Sequence, residues 1–297
     1  MATELERAEP PLVVITGPTA SGKTSLVIAL AGRFGGEIIC ADSRTVYRDM
    51  DIGTAKPTAA ERTRVPHWGL DLVVPGDRFT AADFKHYAES KIEEIRARGH
   101  VPFLVGGTGL YIDGVVFDYR FGADVDEGLR QLLDSMSVDE LQNYCNKNNI
   151  ELPENSQNRR YLVRSIERRG SNHKRNTEPL PNSIIVGITT NRELLRTRIE
   201  HRSEQLFDDG VVEEAIMLGK KYGWNNEAMT GNVYPLVRQY LEGGLSMHEV
   251  QQKFVTLDWR LAKRQLTWLR RNKYIQWKTL EEAEHYLSDI LARMATS

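Results

Sequence analysis

Along the first ~115 residues, short apolar blocks are separated by stretches in which apolar residues recur every three or four positions. Pro11–Thr16 (PLVVIT), Gly36–Ala41 (GEIICA) and Val101–Gly107 (VPFLVGG) are near-continuous apolar runs, the pattern of buried strands. Between them, Ser25–Phe34 and Asp83–Arg98 have helical spacing. This alternation predicts a parallel sheet covered by helices, and Ser183–Thr190 (SIIVGITT) reads as a further core strand. From Phe121 to Pro181 the text turns polar and helix-prone, a small helical insertion tied back by the Pro-rich EPLPNS. Helical patterns then fill Asn191–Tyr222 and Met247–Arg271, with a turn and a short helix within Thr230–Gly244. The expected architecture is mixed α/β: core residues 1–120, a helical insertion at 121–181, and 182–297 completing the core and ending in helices.

Composition changes this picture little. The 297 residues are 40% hydrophobic and 27% charged, ordinary for a soluble globular protein. No apolar run approaches the ~18 residues of a membrane span, and the polar start MATELERAEPP lacks a secretory pattern. Cys40 and Cys145, far apart, indicate neither a disulfide framework nor a structural zinc site, so a cytoplasmic location is expected. A net charge of −2 gives no global sign of nucleic-acid binding. Its distribution says more: Arg159 to Arg175 holds seven Lys or Arg against Glu167 alone, and Arg260, Lys263, Arg264, Arg270, Arg271 and Lys273 form a second cluster. On charge alone these are nucleic-acid contacts or solvated helix faces in equal measure.

Candidate chemistry sits at the predicted strand ends. Gly17, Pro18, Thr19, Ala20, Ser21, Gly22, Lys23 and Thr24 fill a phosphate-loop pattern between a strand and a helix. The glycines let backbone N–H groups close on phosphate oxygens; Lys23 adds a cation, and the Thr24 hydroxyl is placed for Mg2+. Asp42 and Ser43 follow the second strand, and Thr108 lies in the Gly106–Gly109 turn after the third. In an open α/β sheet such ends converge on one cleft. A carboxylate there serves as metal ligand, general base or helix cap, and the residues alone leave these open. No apolar run ends in the acidic residue that nucleotide hydrolases carry, which argues against an ATPase but leaves a small-molecule kinase.

GPTASGKT, ADSRTVYRDMDIGTAKPT, PHWGLDLVVP, FTAADF, PFLVGGTGLYI, NRRYLVRSIE and AKRQLTWLRR occur in the order found in tRNA dimethylallyltransferases, the MiaA-type isopentenyltransferases, and the chain resembles that family from about Pro11 to Arg271. The resemblance implies a P-loop kinase-like core with an insertion that grips the anticodon stem-loop. It implies Mg2+-assisted transfer of the prenyl group of dimethylallyl diphosphate to the exocyclic amine of adenosine 37, in tRNAs reading codons that begin with U. Carried over residue by residue, Asp42 is the general base, Thr108 lies near the reacting centre, and Lys23, Arg198 and Arg202 hold the diphosphate with the loop. For tRNA the resemblance implies Asp42, Ser43, Arg44, Thr45, Thr108, Arg130, Arg160, Arg164, Arg168, Lys263, Arg264 and Gln265, and a monomer as the working unit. Thr45 stands where the family usually has glutamine, Trp68 replaces a common second histidine, and Asn232-Val233-Tyr234 replaces Ile-Gly-Tyr. His67 reads as structural. The competing activities are prenylation of free AMP, ADP or ATP, a small-molecule kinase, and non-enzymatic tRNA binding.

Overall fold

The computed structural model describes residues 9–121, 127–167, 175–231 and 233–295. The chain divides into two compact units: residues 1–116 with 179–297, and residues 117–178.

In the larger unit the first half runs β1 (Leu12–Thr16), α1 (Lys23–Phe34), β2 (Gly36–Ala41), α2 (Ala59–Arg64), β3 (His67–Trp68), α3 (Ala81–Ala97), β4 (Val101–Gly106) and α4 (Gly109–Val116). The six strands of its sheet are ordered β3-β2-β4-β1-β5-β6, with β5 at Ser183–Ile188, β6 at Gln276–Lys278 and every neighbouring pair parallel. β1 is buried at all five positions, which is why it reads as an unbroken apolar run. Its Val13 and Ile15 join Ile38, Phe103, Val105, Val186 and Ile188 in a core covered by Val27, Leu30 and Ala31 of α1 and by Leu287 and Leu291 further along the chain. Two strands were not foreseen. β3 is two residues long, and β6 is three residues long and lies at the sheet edge; neither has the length or alternation that marks a strand in sequence.

Glu37, near the start of β2, is 2% exposed and knits the far end of the sheet. It accepts two hydrogen bonds from Arg98 (2.8 Å each) and one from the Trp68 indole (2.7 Å), and it contacts His100 Nδ1 at 2.7 Å. Burial raises its pKa, but the hydrogen bonds from Arg98, His100 and Trp68 outweigh this and hold it at about 2. Lys91 lies 4.2 Å over the Trp68 ring, so the tryptophan in place of a histidine is a structural element here. His67 fits that region too: its Nδ1 contacts the Val65 carbonyl at 2.7 Å, and burial lowers its pKa.

The smaller unit contains α5 (Glu127–Asp134), α6 (Val138–Lys147) and α7 (Arg159–Glu167). Its core is Leu133, Leu141, Cys145, Leu162, Val163 and Ile166. The two ends of this unit meet, Asn176 N donating to Phe117 O (2.8 Å) and Arg175 to the Tyr119 hydroxyl (2.7 Å).

The rest of the larger unit is helical apart from β5 and β6: α8 (Arg192–Asp208), α9 (Val211–Tyr222), α10 (Tyr234–Leu241), α11 (Met247–Leu269) and α12 (Leu280–Ala295). The continuous helical pattern of Asn191–Tyr222 is two helices, because Gly210 takes a φ of +95° between them. Among the described residues no helix is long and apolar enough to cross a membrane.

Candidate active site

Register brings the chemistry together. Gly106 of β4 pairs with Thr16 of β1 and with Ala41 of β2, so these three neighbouring strands end level. The next residues, Gly17, Asp42 and Gly107, therefore emerge on one edge. The Thr16 hydroxyl donates to Gly106 O (3.1 Å) and Thr108 N to Ala41 O (3.3 Å). Ser43 N donates to the Thr108 hydroxyl (3.1 Å), joining the two turns directly. Asp42 Oδ1 accepts the Arg44 N–H (2.8 Å), which orients the carboxylate. The carboxylate thus caps its own turn through Oδ1.

The phosphate loop has left-handed backbone at Ala20 (φ +59°) and Gly22 (φ +89°). A Cβ at Gly22 would also press on the movable end of Leu280, Cδ1 at 2.7 Å, so the left-handed φ is the stronger reason for glycine. As the N-cap of α1 it makes no side-chain cap bond, and the first turn has no acidic residue, so its N–H groups face the loop uncompensated. Lys23 donates to Pro18 O (2.6 Å) and Ser21 Oγ (3.2 Å). Burial pulls its pKa down to about 7; the Asp42 charge opposes that and the Arg202 charge adds to it. From α8, Arg202 donates to the Thr19 hydroxyl (2.6 Å) and Arg198 to Ser21 O (3.2 Å). The exposed pairs on this helix are Arg196 with Glu200 and His201 with Glu204, whereas Arg198 and Arg202 turn to the loop. Among the described residues the buried Arg202 Nε has no partner, leaving a charged donor for a ligand to satisfy.

The other sequence-predicted residues divide. Arg44 donates to Glu227 O (2.9 Å) and Thr230 Oγ1 (3.2 Å), clamping its loop to the segment before α10. Thr45 is 6% exposed, and its hydroxyl turns back to Asp42 O (3.4 Å). Gln265 of α11 accepts the Thr19 N–H (2.8 Å), facing the phosphate loop. Lys263 and Arg264 are exposed, and with Arg260, Thr267, Trp268 and Arg271 they line a basic depression of about 460 Å³. In the smaller unit Arg160 is exposed on α7, next to a Tyr161 that is 53% exposed; Arg164 is on the same helix. Arg130 pairs with Glu167 and Asp134. Arg168 and Asn232 lie outside the described residues.

Two supporting groups, Glu214 and Lys56, were missed in the sequence, while Trp268 packs as its helix pattern allowed. Glu214 of α9, 8% exposed, accepts the N–H groups of Asp51, Ile52 and Gly53 (2.6–2.8 Å) and the Tyr234 hydroxyl (2.9 Å). Lys56, 7% exposed, donates to Tyr47 O, Asp51 and Asp71. Together they fold the DIGTAKP segment, whose motif is thus partly an instruction for its own shape. The Trp268 indole donates to Asp113 (2.7 Å) and covers Gly109, where a Cβ would meet the ring at 2.1 Å. A glutamate on the apolar stripe of an amphipathic helix was the one available signal for Glu214.

A family model described as IPP transferase matches residues 45–272, and one described as isopentenyl transferase matches residues 10–72. A tRNA dimethylallyltransferase of Pelotomaculum thermopropionicum is 39% identical, covering 93% of this chain and 93% of that protein. One from Desulforudis audaxviator is 40% identical over 92% and 93%. Among solved structures, the full-length tRNA isopentenylpyrophosphate transferase of Bacillus halodurans superposes with a TM-score of 0.73 at 32% identity, covering 97% of this chain and 99% of that one. A eukaryotic dimethylallyltransferase acting on tRNA shares the fold, with a TM-score of 0.79 at 22% identity over 91% and 74% of the two chains.

Proposed function

The chain belongs to the IPP transferase family, and from that premise we infer that it transfers the dimethylallyl group of dimethylallyl diphosphate to tRNA. The observation that supports this reading most is the pairing of a cationic phosphate loop with a carboxylate and a hydroxyl, Asp42 and Thr108, on the same sheet edge. The acceptor is the N6 amine of adenosine 37 in tRNAs reading codons that begin with U.

The adenine amine attacks the allylic carbon, a C–N bond forms, and the C–O bond to diphosphate breaks. Asp42 takes the proton that the amine loses. Adenine's amine is barely basic, so the positioning of acceptor and donor by the Ser43–Thr108 bond matters at least as much as the base. Lys23, Arg198, Arg202 and the loop N–H groups stabilise the charge on the departing diphosphate. The donor set fits Mg2+ only in a shared site. Among the described residues no cluster of three His, Cys, Asp or Glu could hold a metal alone, but the exposed Thr24 hydroxyl would supply one oxygen. Mg2+ takes few protein ligands when substrate phosphates supply the rest. When bound it would neutralise diphosphate charge, held by Thr24. We assign contacts with the anticodon stem-loop to Arg160, Arg164 and Arg168 of the sequence, with Arg130 as a further contact. Lys263 and Arg264 add phosphate contacts. The chain works as a monomer in the cytoplasm, where its acceptor is found.

The test offers labelled dimethylallyl diphosphate and Mg2+ to unmodified tRNA bearing A36-A37-A38, or to AMP. Label at adenosine 37 is expected. Label in AMP alone would assign the free-nucleotide activity instead, and label in neither would overturn the donor.

A further inference from the structure

The phosphate loop is strained and has to be held. Ala20, a residue with a Cβ, adopts φ +59°, and such backbone persists only where surroundings fix it. Ala20 packs against Leu195, Ile199 and Ala262, Ser21 N donates to Pro18 O (3.3 Å), and four side chains hold the loop by hydrogen bonds. Lys23 holds Pro18 O and Ser21 Oγ, Arg198 holds Ser21 O, and Arg202 holds the Thr19 hydroxyl. Arg198 and Arg202 are cations, Lys23 becomes one when a diphosphate restores its charge, and all three are groups that a diphosphate would draw to itself. The fourth is neutral: Gln265 Oε1 accepts the Thr19 N–H at 2.8 Å.

Gln265 also touches the opposite wall. A Cβ on Gly107 would meet its Nε2 at 2.4 Å and Gly17 O at 3.3 Å, so the carboxamide fills the gap between the loop after β1 and the turn after β4. Three residues on, Trp268 anchors the same helix to α4 through Asp113. α11 is thereby fixed against one wall by an indole and against the other by an amide.

We propose that Gln265 is a positioning residue for the prenyl donor, a neutral tether that holds Thr19 in place when the cations turn to the diphosphate, and that it sets the distance from the loop to Thr108. The inference rests on the proposed function. It replaces the tRNA contact that the family resemblance implied for this residue.

Gln265→Met keeps the volume against Gly107 but removes the acceptor; Gln265→Ala removes both. Binding of dimethylallyl diphosphate and of unmodified tRNA is measured separately for each variant and the unchanged chain, alongside the melting temperature. The expected result for Gln265→Met is a dissociation constant for dimethylallyl diphosphate raised about tenfold, the scale of one lost organising hydrogen bond. Its KM should rise in parallel, with tRNA affinity and melting temperature unchanged. Weakened tRNA binding with unchanged donor affinity would overturn the proposal, as would no change in either. Donor binding by the unchanged chain that Gln265→Met does not weaken defeats this inference alone. Failure of the unchanged chain to bind the donor defeats the proposed function and the inference with it.

Discussion

At the scale of single residues, the group with the most altered chemistry is Lys23. Its folded pKa of about 7 lies below the ordinary 10.5, chiefly through burial. Between these values the folded chain holds the amine neutral while the unfolded chain would protonate it, so this group's contribution to stability rises with pH through that window. Ligand binding has the opposite sign: a diphosphate restores the charge, so above pH 7 binding takes up a proton. Calorimetric titration of dimethylallyl diphosphate at about pH 8, in buffers of different ionisation enthalpy, should show uptake approaching one proton; Lys23→Arg should abolish it. Affinity should fall with pH above 7, by up to about tenfold per unit. The presence of Lys23 was legible in a loop motif, but its protonation was not, because burial and the Arg202 charge come from parts of the chain far away in sequence. Thr45 and Gln265 make the same point. Their positions were visible, but the direction of a side chain depends on what packs around it.

Among elements, strands buried on both faces announced themselves, whereas β3 and β6 were too short to carry a pattern. The polar networks that bind elements together were the hardest to read, since a buried Glu within a strand such as Glu37 looks in sequence like any surface Glu. Glu37 ties β2 to Trp68 of β3 and to Arg98 and His100 around the start of β4. Its folded pKa of about 2 is below the ordinary 4.5, so the stabilisation is present above 4.5 and lost as pH falls towards 2. The size is on the order of 3 kcal/mol. Denaturant titrations across that pH range should show a steep loss of stability in the unchanged chain. Glu37→Gln should be destabilised near neutrality and should show a shallower loss; equal slopes would remove Glu37 from the acid response.

At the scale of the whole molecule, a net charge of −2 conceals a basic α7 face and a basic α11 face. Changing Arg160 and Arg164 together to Ala should raise the KM for tRNA and reduce the salt dependence of its binding, by about one to two in the log–log slope. The KM for dimethylallyl diphosphate should stay as it was; movement of the donor KM alone would show that the smaller unit is not the tRNA grip. One property of that unit reaches further. It begins and ends at a hydrogen-bonded pair, Phe117 with Asn176, just after Val116 O has accepted the Leu180 N–H. A detour that finishes where it started adds no net displacement to the path of the chain. Residues gained or lost inside it leave the register of β5 untouched, so the length of this smaller unit can drift over generations without retuning the strand ends that carry Asp42 and Thr108.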